Sequence, residues 1–132
     1  MVLVDTSVWI DFFANHPEPH VIALKKMIET GEDLCLCGIT LAETLQGIRS
    51  ERAYRKTKDY FEILIFLEMR KAIYEQAAAM YRSLRKKGVT IRKPVDCLIA
   101  SVALENDLAL LHNDRDFDHI SQHFKLQTIR SI

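Results

Sequence analysis

Val2-Leu3-Val4-Asp5-Thr6-Ser7-Val8-Trp9-Ile10-Asp11 runs from three apolar residues to an acid, then to two hydroxyl residues, then to an aromatic turn. So short an apolar run reads as a strand buried on both faces, the habit of a parallel sheet. Thr6 and Ser7 are helix-capping types, and Trp9, Ile10, Phe12 and Phe13 load the next turn with apolar surface. Asp5 thus stands where a strand hands over to a helix. The same arrangement recurs along the chain. Glu43 follows Leu34-Cys35-Leu36-Cys37, Asp96 opens the helical run Val95–Ala103, and Asp114 and Asp116 follow Leu108-Ala109-Leu110-Leu111. Ligands of open α/β sheets bind outside the carboxyl ends of the strands. One parallel sheet would therefore gather acids more than a hundred positions apart into a single pocket.

The intervening sequence supports that sheet. Pro17-Glu18-Pro19 starts a helix with apolar Val21, Leu24, Met27 and Ile28, which Gly31 ends. Leu41, Leu45 and Ile48 form an i, i+4, i+7 stripe. A charged helix over 51–62 precedes a weak third strand near Leu64–Leu67. Ile73, Ala77, Met80, Tyr81 and Leu84 mark a long helix that Gly88 terminates, and Val95, Leu98, Ile99, Val102 and Ala103 mark another. Residues 117–124 read as helix and Leu126–Ile129 as a fifth strand at the sheet edge. No linker or repeat interrupts 1–132, so the expectation is one α/β domain with about five mostly parallel strands between helices.

Composition removes several classes. No stretch approaches the roughly 20 apolar residues of a membrane span, and Asp5 without a basic leader argues against a secretory signal. Lys+Arg and Asp+Glu are both 18, so net charge does not advertise nucleic-acid binding. Cys35 and Cys37 lie about 6.7 Å apart in a strand, at the outer limit for a disulfide. With Cys97 elsewhere they read as buried thiols of a reducing cytoplasm.

Each acid has an ordinary explanation. Asp5 can cap the helix after it. Thr40-Leu41-Ala42-Glu43 matches a capping box. Asp96 can complement a helix dipole, and Asp114 and Asp116 can form a solvated turn with Arg115. Their common position at one sheet edge favours a site. Crowded carboxylates repel unless a cation lies between them, and oxygen-only ligands select Mg²⁺ or Mn²⁺. Such ions activate water and clamp phosphoryl oxygens.

Residues 2–11 resemble the opening of PIN-domain ribonucleases, in particular the VapC toxins of type II toxin–antitoxin systems. Thr40-Leu41-Ala42-Glu43 with Gly47 resembles their second acidic segment, Pro94-Val95-Asp96-Cys97-Leu98-Ile99-Ala100 the third, and Leu111-His112-Asn113-Asp114-Arg115-Asp116-Phe117 the fourth. One departure is Leu111-His112, where many members carry Thr or Ser. The resemblance implies a PIN-like three-layer sandwich and an endoribonuclease that uses Mg²⁺ or Mn²⁺ and metal-activated water. It also implies a cognate antitoxin and a homodimer. Asp5 and Asp96 would be direct ligands, with Glu43, Asp114 and Asp116 acting through water, at a second ion or on the nucleophile. Ser7 and Asn113 would be polar helpers.

Cations cluster despite the neutral total. Arg49, Arg52, Arg55, Lys56 and Lys58 follow the Glu43 helix; Arg82, Arg85, Lys86, Lys87, Arg92 and Lys93 precede Asp96. Solvated helix surface explains any one of them. Beside an acidic centre, Arg49, Arg52, Arg85, Lys86, Lys87, Arg92 and Lys93 become candidate contacts for the phosphates of RNA. His119 and His123 share a helix face without a third ligand, and Trp9, Phe12 and Phe13 read as core or interface. Competing readings are a catalytically silent PIN-fold binding module and a metal-dependent phosphatase, whose second acid would replace Ser7. A phospho-receiver would need a Lys where His112-Asn113 stands, and no helix-turn-helix pattern supports a DNA-binding regulator.

Overall fold

Alternation within four short strands assigns the chain's apolar residues to two separate cores. The computed structural model describes residues 1–129; the last three positions of the expected 1–132 domain lie outside the described residues. Strands β1 (Val2–Val4), β2 (Leu34–Cys37), β3 (Ile65–Leu67), β4 (Ala109–Leu111) and β5 (Thr128–Ile129) form one sheet in the order β3-β2-β1-β4-β5. All four neighbouring pairs are parallel. Side chains of successive strand residues point to opposite faces. Leu3, Cys35, Cys37 and Leu110 therefore join one core, while Val2, Val4, Leu34, Leu36 and Leu111 join the other.

Helices cover both faces, giving the expected three layers. On the Val4 face lie α1 (Thr6–Phe13), α2 (Pro19–Glu29) and α4 (Glu51–Phe61), through Val8, Trp9, Leu24 and Phe61. On the Leu3 face lie α5 (Lys71–Lys86), α6 (Val95–Glu105) and α7 (Arg115–His123), through Ile73, Met80, Ile99, Val102, Phe117 and Ile120. Between the layers, α3 (Gly38–Gln46) packs Ile39 against one core and Leu41 against the other.

Chain order sets the position of the functional edge. Strands β1, β2 and β3 step outward in one direction, and β4 and β5 step outward from β1 in the other. The reversal lies between β1 and β4, where Val2, Leu3 and Val4 pair with Ala109, Leu110 and Leu111. Loops leaving two neighbouring strands toward opposite faces open a crevice there. Both strands end at that crevice with acids just beyond them.

Some local expectations are corrected. The third strand is shorter than 64–67 and lies at the sheet edge, where Ile65 and Phe66 are exposed. The apolar stripe Leu41, Leu45 and Ile48 is only half-buried; α3 buries Thr40 and Thr44 instead. A short helix wedged between two layers presents small side chains where neighbours come close, and β-branched Thr fills that space. Gly31 and Gly88 both stop their helices at positive φ, 76° and 77°, the left-handed region glycine enters without Cβ strain.

The Val4-face core centres on Trp9, fully buried and ringed by Phe12, Phe13, Tyr60 and Phe61 at centroid separations of 5.1–6.0 Å. Trp9→Ala should lower unfolding stability by about 3–5 kcal/mol, the range for emptying a large aromatic site. Ile22→Ala, at a side chain 62% exposed, should change it by less than about 0.5 kcal/mol. Urea melts followed by circular dichroism compare the two; equal losses would mean that Trp9 does not organise this core.

Candidate metal centre

The site is built from helix starts. Asp5 is the N-cap of α1, its Oδ2 accepting bonds from the Ser7 N–H at 3.3 Å and the Ser7 hydroxyl at 2.6 Å. The Asp5 N–H donates to the Leu111 carbonyl at 2.9 Å, extending the β1–β4 ladder and fixing the carboxylate at the crevice. Capping here falls to Asp5 rather than to Thr6-Ser7. That frees the Thr6 hydroxyl, which donates to Glu43 Oε1 at 2.9 Å.

Glu43 is not a capping residue. Helix α3 begins at Gly38 with Cys37 as N-cap, and the Thr40 hydroxyl accepts the Cys37 N–H at 3.0 Å. The capping box therefore lies three residues earlier than the Thr40–Glu43 reading, and Glu43 sits in the second turn with its carboxylate turned to Thr6.

Asp96 occupies the first turn of α6, whose N-cap Pro94 supplies no side-chain bond. Asp96 is 4% exposed, and its Oδ2 is buried without a hydrogen-bond partner. Asp114 caps α7, its Oδ1 accepting the Asp116 N–H at 2.9 Å. The Asp114 N–H in turn donates to Nδ1 of the fully buried His112 at 3.1 Å, which places the imidazole proton on Nε2. His112 also packs its ring 5.1 Å from Phe117. The residue that departs from the resemblance thus anchors the segment that presents Asp114. Both Asp114 and Asp116 reach the site, from different sides. Asp114 faces the opening, and the 3%-exposed Asp116 lies beneath, accepting the Arg92 N–H at 3.0 Å.

Asp5, Ser7, Glu43, Asp96 and Asp114 line one cavity of about 260 Å³ with Thr6, Ile10, Gln46 and Lys93. One carboxylate oxygen from each of Asp96, Asp114 and Asp116 lies within 4.8 Å of the other two. Burial pushes the Asp96 carboxyl up to about 8, helped by the charges of Asp5, Asp114 and Asp116 and opposed by Lys93. Burial also raises Asp5, against the pull of the Ser7 hydroxyl and N–H. A hard divalent cation answers such a set: all donors are oxygen, one buried oxygen lacks a partner, and the charges repel. Asp96, Asp114 and Asp116 are the residues that could hold it, with Asp5 and Glu43 across the cavity.

Other sequence candidates fall differently. Asn113 is exposed and outside the cavity lining, whereas Ser7 bonds Asp5. Arg49, Arg52, Arg85, Lys86 and Lys87 are exposed helix or loop surface. Arg92 and Lys93 lie on the acids themselves: Arg92 Nη2 is 3.1 Å from Asp114 Oδ1, Arg92 Nε 3.6 Å from Asp116 Oδ1, and Lys93 Nζ 3.9 Å from Asp114 Oδ2. Sequence reading missed Thr6, Gln46 and His112 as site residues. Only Thr6, adjacent to Asp5, carried a local signal.

A family model described as PIN domain matches residues 2–122. Ribonuclease VapC11 of Mycobacterium tuberculosis is 30% identical over 129 residues, covering 96% of each chain. Among solved structures, VapBC2 from Rickettsia felis bound to a promoter DNA fragment has a TM-score of 0.79 at 20% identity and 100% coverage of both chains. VapC20 of Mycobacterium tuberculosis, described as a sarcin-ricin loop cleaving toxin, has a TM-score of 0.70 at 18% identity, covering 94% of this chain and 96% of that one.

The raised Asp96 value has a pH consequence in metal-free protein. Between its ordinary value of 3.8 and about 8, the folded chain keeps a proton that the unfolded chain has lost, so stability falls as pH rises. Asp96→Asn removes that slope while keeping the shape. In EDTA its melting temperature should exceed wild type near pH 8, with the gap closing toward pH 4. An Asn variant melting below wild type across that range would make Asp96 a structural partner of the α6 N-terminus.

Proposed function

The chain belongs to the PIN-domain family, among the VapC ribonucleases, and we propose that it is the endoribonuclease toxin of a toxin–antitoxin pair, dependent on Mg²⁺ or Mn²⁺ and acting in the cytoplasm. The observation that carries this reading is the partnerless Asp96 oxygen, buried in an all-carboxylate cluster at the sheet's switch point. A bound divalent ion would supply an activated water and charge neutralisation at the scissile phosphate.

The chain's own residues prepare the site for that ion. Ser7 fixes the Asp5 carboxylate, which lines the cavity, by two bonds to one oxygen. Thr6 holds Glu43 in place, and the N-terminus of α7 holds Asp114. Carboxylates held this way do not reorganise when the ion arrives, which favours binding. Exposed Arg49, Arg52, Arg85, Lys86 and Lys87 carry the charge to attract flanking phosphates, a sequence-independent term. Single-stranded RNA with splayed bases fits an open crevice better than a duplex does.

An antitoxin has a surface of suitable chemistry. An apolar groove of about 300 Å³ lined by Ile10, Phe13, Thr44, Gly47, Ile48 and Thr57 adjoins the acidic cavity through Ile10. A partner helix seated there can reach a basic side chain into the acids and pair with them. By family analogy the toxin is a homodimer; a monomer at tens of micromolar in analytical ultracentrifugation would contradict that.

Two experiments test the proposal. Purified protein should cleave RNA with Mg²⁺ or Mn²⁺ and stop in EDTA, and Asp5→Ala and Asp96→Ala should lower the rate by at least about a hundredfold. Cleavage that survives chelation, undiminished in both variants, would sink the metal mechanism. Expression in a close bacterial relative should arrest growth, and co-expression of the antitoxin should restore it; harmless wild-type expression would defeat the toxin role.

A further inference from the structure

Two carboxylates of the cluster already hold a cation that the chain supplies. Arg92 places Nη2 3.1 Å from Asp114 Oδ1 and Nε 3.6 Å from Asp116 Oδ1. Its backbone N–H independently donates to Asp116 Oδ2 at 3.0 Å. One guanidinium therefore spans two of the three acids that come within 4.8 Å of each other, while the third, Asp96, keeps an oxygen with no partner. Lys93 Nζ, 3.9 Å from Asp114 Oδ2, is a second and looser cation, and together the two offset only part of this cluster.

The side chain is also poised to leave. It is 68% exposed, so most of it already faces solvent and little burial is lost on its departure. The bond from its backbone N–H to Asp116 holds the main chain at the cavity rim when the side chain swings away. A divalent ion among these oxygens would repel the guanidinium and compete for the Asp114 and Asp116 oxygens it faces. A planar guanidinium released beside the cavity, on a stem tethered at its rim, matches the two-oxygen geometry of a phosphate.

We propose that Arg92 is the resident counter-cation of the carboxylate cluster, displaced from Asp114 and Asp116 by the divalent ion and then free to bind a phosphate of the substrate strand. The second half rests on the ribonuclease reading; the first does not. In the ion-free chain Arg92 is tied to the acids, and in the ion-loaded chain it belongs to the nucleic-acid surface. Its partner depends on the occupancy of the site.

Isothermal titration of Mn²⁺ into wild type and Arg92→Gln tests the first half. The variant keeps the backbone N–H and should bind Mn²⁺ about two- to fivefold more tightly, the scale of losing one exposed competing ion pair. If that variant does not fold, nitrogen-15 spectra of wild type serve: the Arg92 Nε–H resonance should shift with Mg²⁺ at the concentration that saturates the site. Unchanged Mn²⁺ affinity, or a resonance indifferent to Mg²⁺, overturns the counter-cation role.

The second half is read from the salt dependence of binding to a mixed-sequence 2′-O-methyl oligonucleotide. Arg92→Gln should lower the slope of log affinity against log salt by about one in Mg²⁺ and leave it unchanged in EDTA. An equal drop in both conditions overturns the release, because Arg92 would then face the strand whether or not the ion is bound. No oligonucleotide binding by either protein would count against the ribonuclease reading and the phosphate half together, with the Mn²⁺ comparison still deciding the first half.

Discussion

Repulsion among carboxylates brought to one edge of a parallel sheet is the constraint on which the rest of the molecule depends. The β1–β4 register sets it: Val4 pairs with Leu111, so Asp5 and the Asp114 segment leave neighbouring strands at the same end. Asp96 joins them from the first turn of α6, and Glu43 from the second turn of α3. Apart, these acids would cost the fold little. Gathered and partly buried, they press on one another, and Asp96, the least compensated, has its carboxyl raised to about 8 by burial first and by its neighbours' charges second.

Local structure absorbs part of that strain. Asp5 and Asp114 each accept an N–H at the start of a helix, where the backbone dipole favours negative charge. Asp116 takes the Arg92 N–H, and Glu43 takes the Thr6 hydroxyl. Of the acids described, only Asp96 ends with a buried oxygen and no donor. Other buried polar atoms without a partner, such as Trp9 Nε1, Thr44 Oγ1 and Ser101 Oγ, belong to neutral side chains, so among the acids the unmet demand falls on one atom in the middle of an all-oxygen set. A carboxylate oxygen costs more to leave without a donor than a hydroxyl does, so this leftover, rather than the number of acids, supports the proposed ion site.

The strands, the two helix-ending glycines and the acids were legible in the sequence because each is a local signal: a short apolar run, a residue type that tolerates positive φ, a charge after a strand. Their meeting was legible only through the general rule for parallel sheets. Which strands neighbour one another was not, since the pairing of β1 with both β2 and β4 depends on packing over the whole chain. The capping-box reading of Thr40–Glu43 failed for a related reason. It fits the residue types, but Cys37 ends a strand in the conformation that starts the helix, and tertiary position outranks the motif. The contacts that His112 and Arg92 make with the acidic segment carried no usable signal. His112 is a buried imidazole whose role is to hold a backbone N–H, and Arg92 is a surface cation whose partners lie 22 and 24 positions further along.

The sheet order also has a consequence for biosynthesis. Strand β1 is made first but occupies the centre, and one of its edges stays open until β4 is made. Between Asp5 and Asp114 a ribosome works for on the order of 5–20 s. Through that interval the nascent chain carries Asp5, Glu43 and finally Asp96 without the strand that brings the last two acids beside them. A chain released before β4, from a broken message or a stalled ribosome, lacks Asp114 and Asp116 and leaves one edge of its central strand unpaired. Translation that stops before β4 therefore yields a polypeptide without the assembled cluster, and the acids come together only after residue 116 has been read.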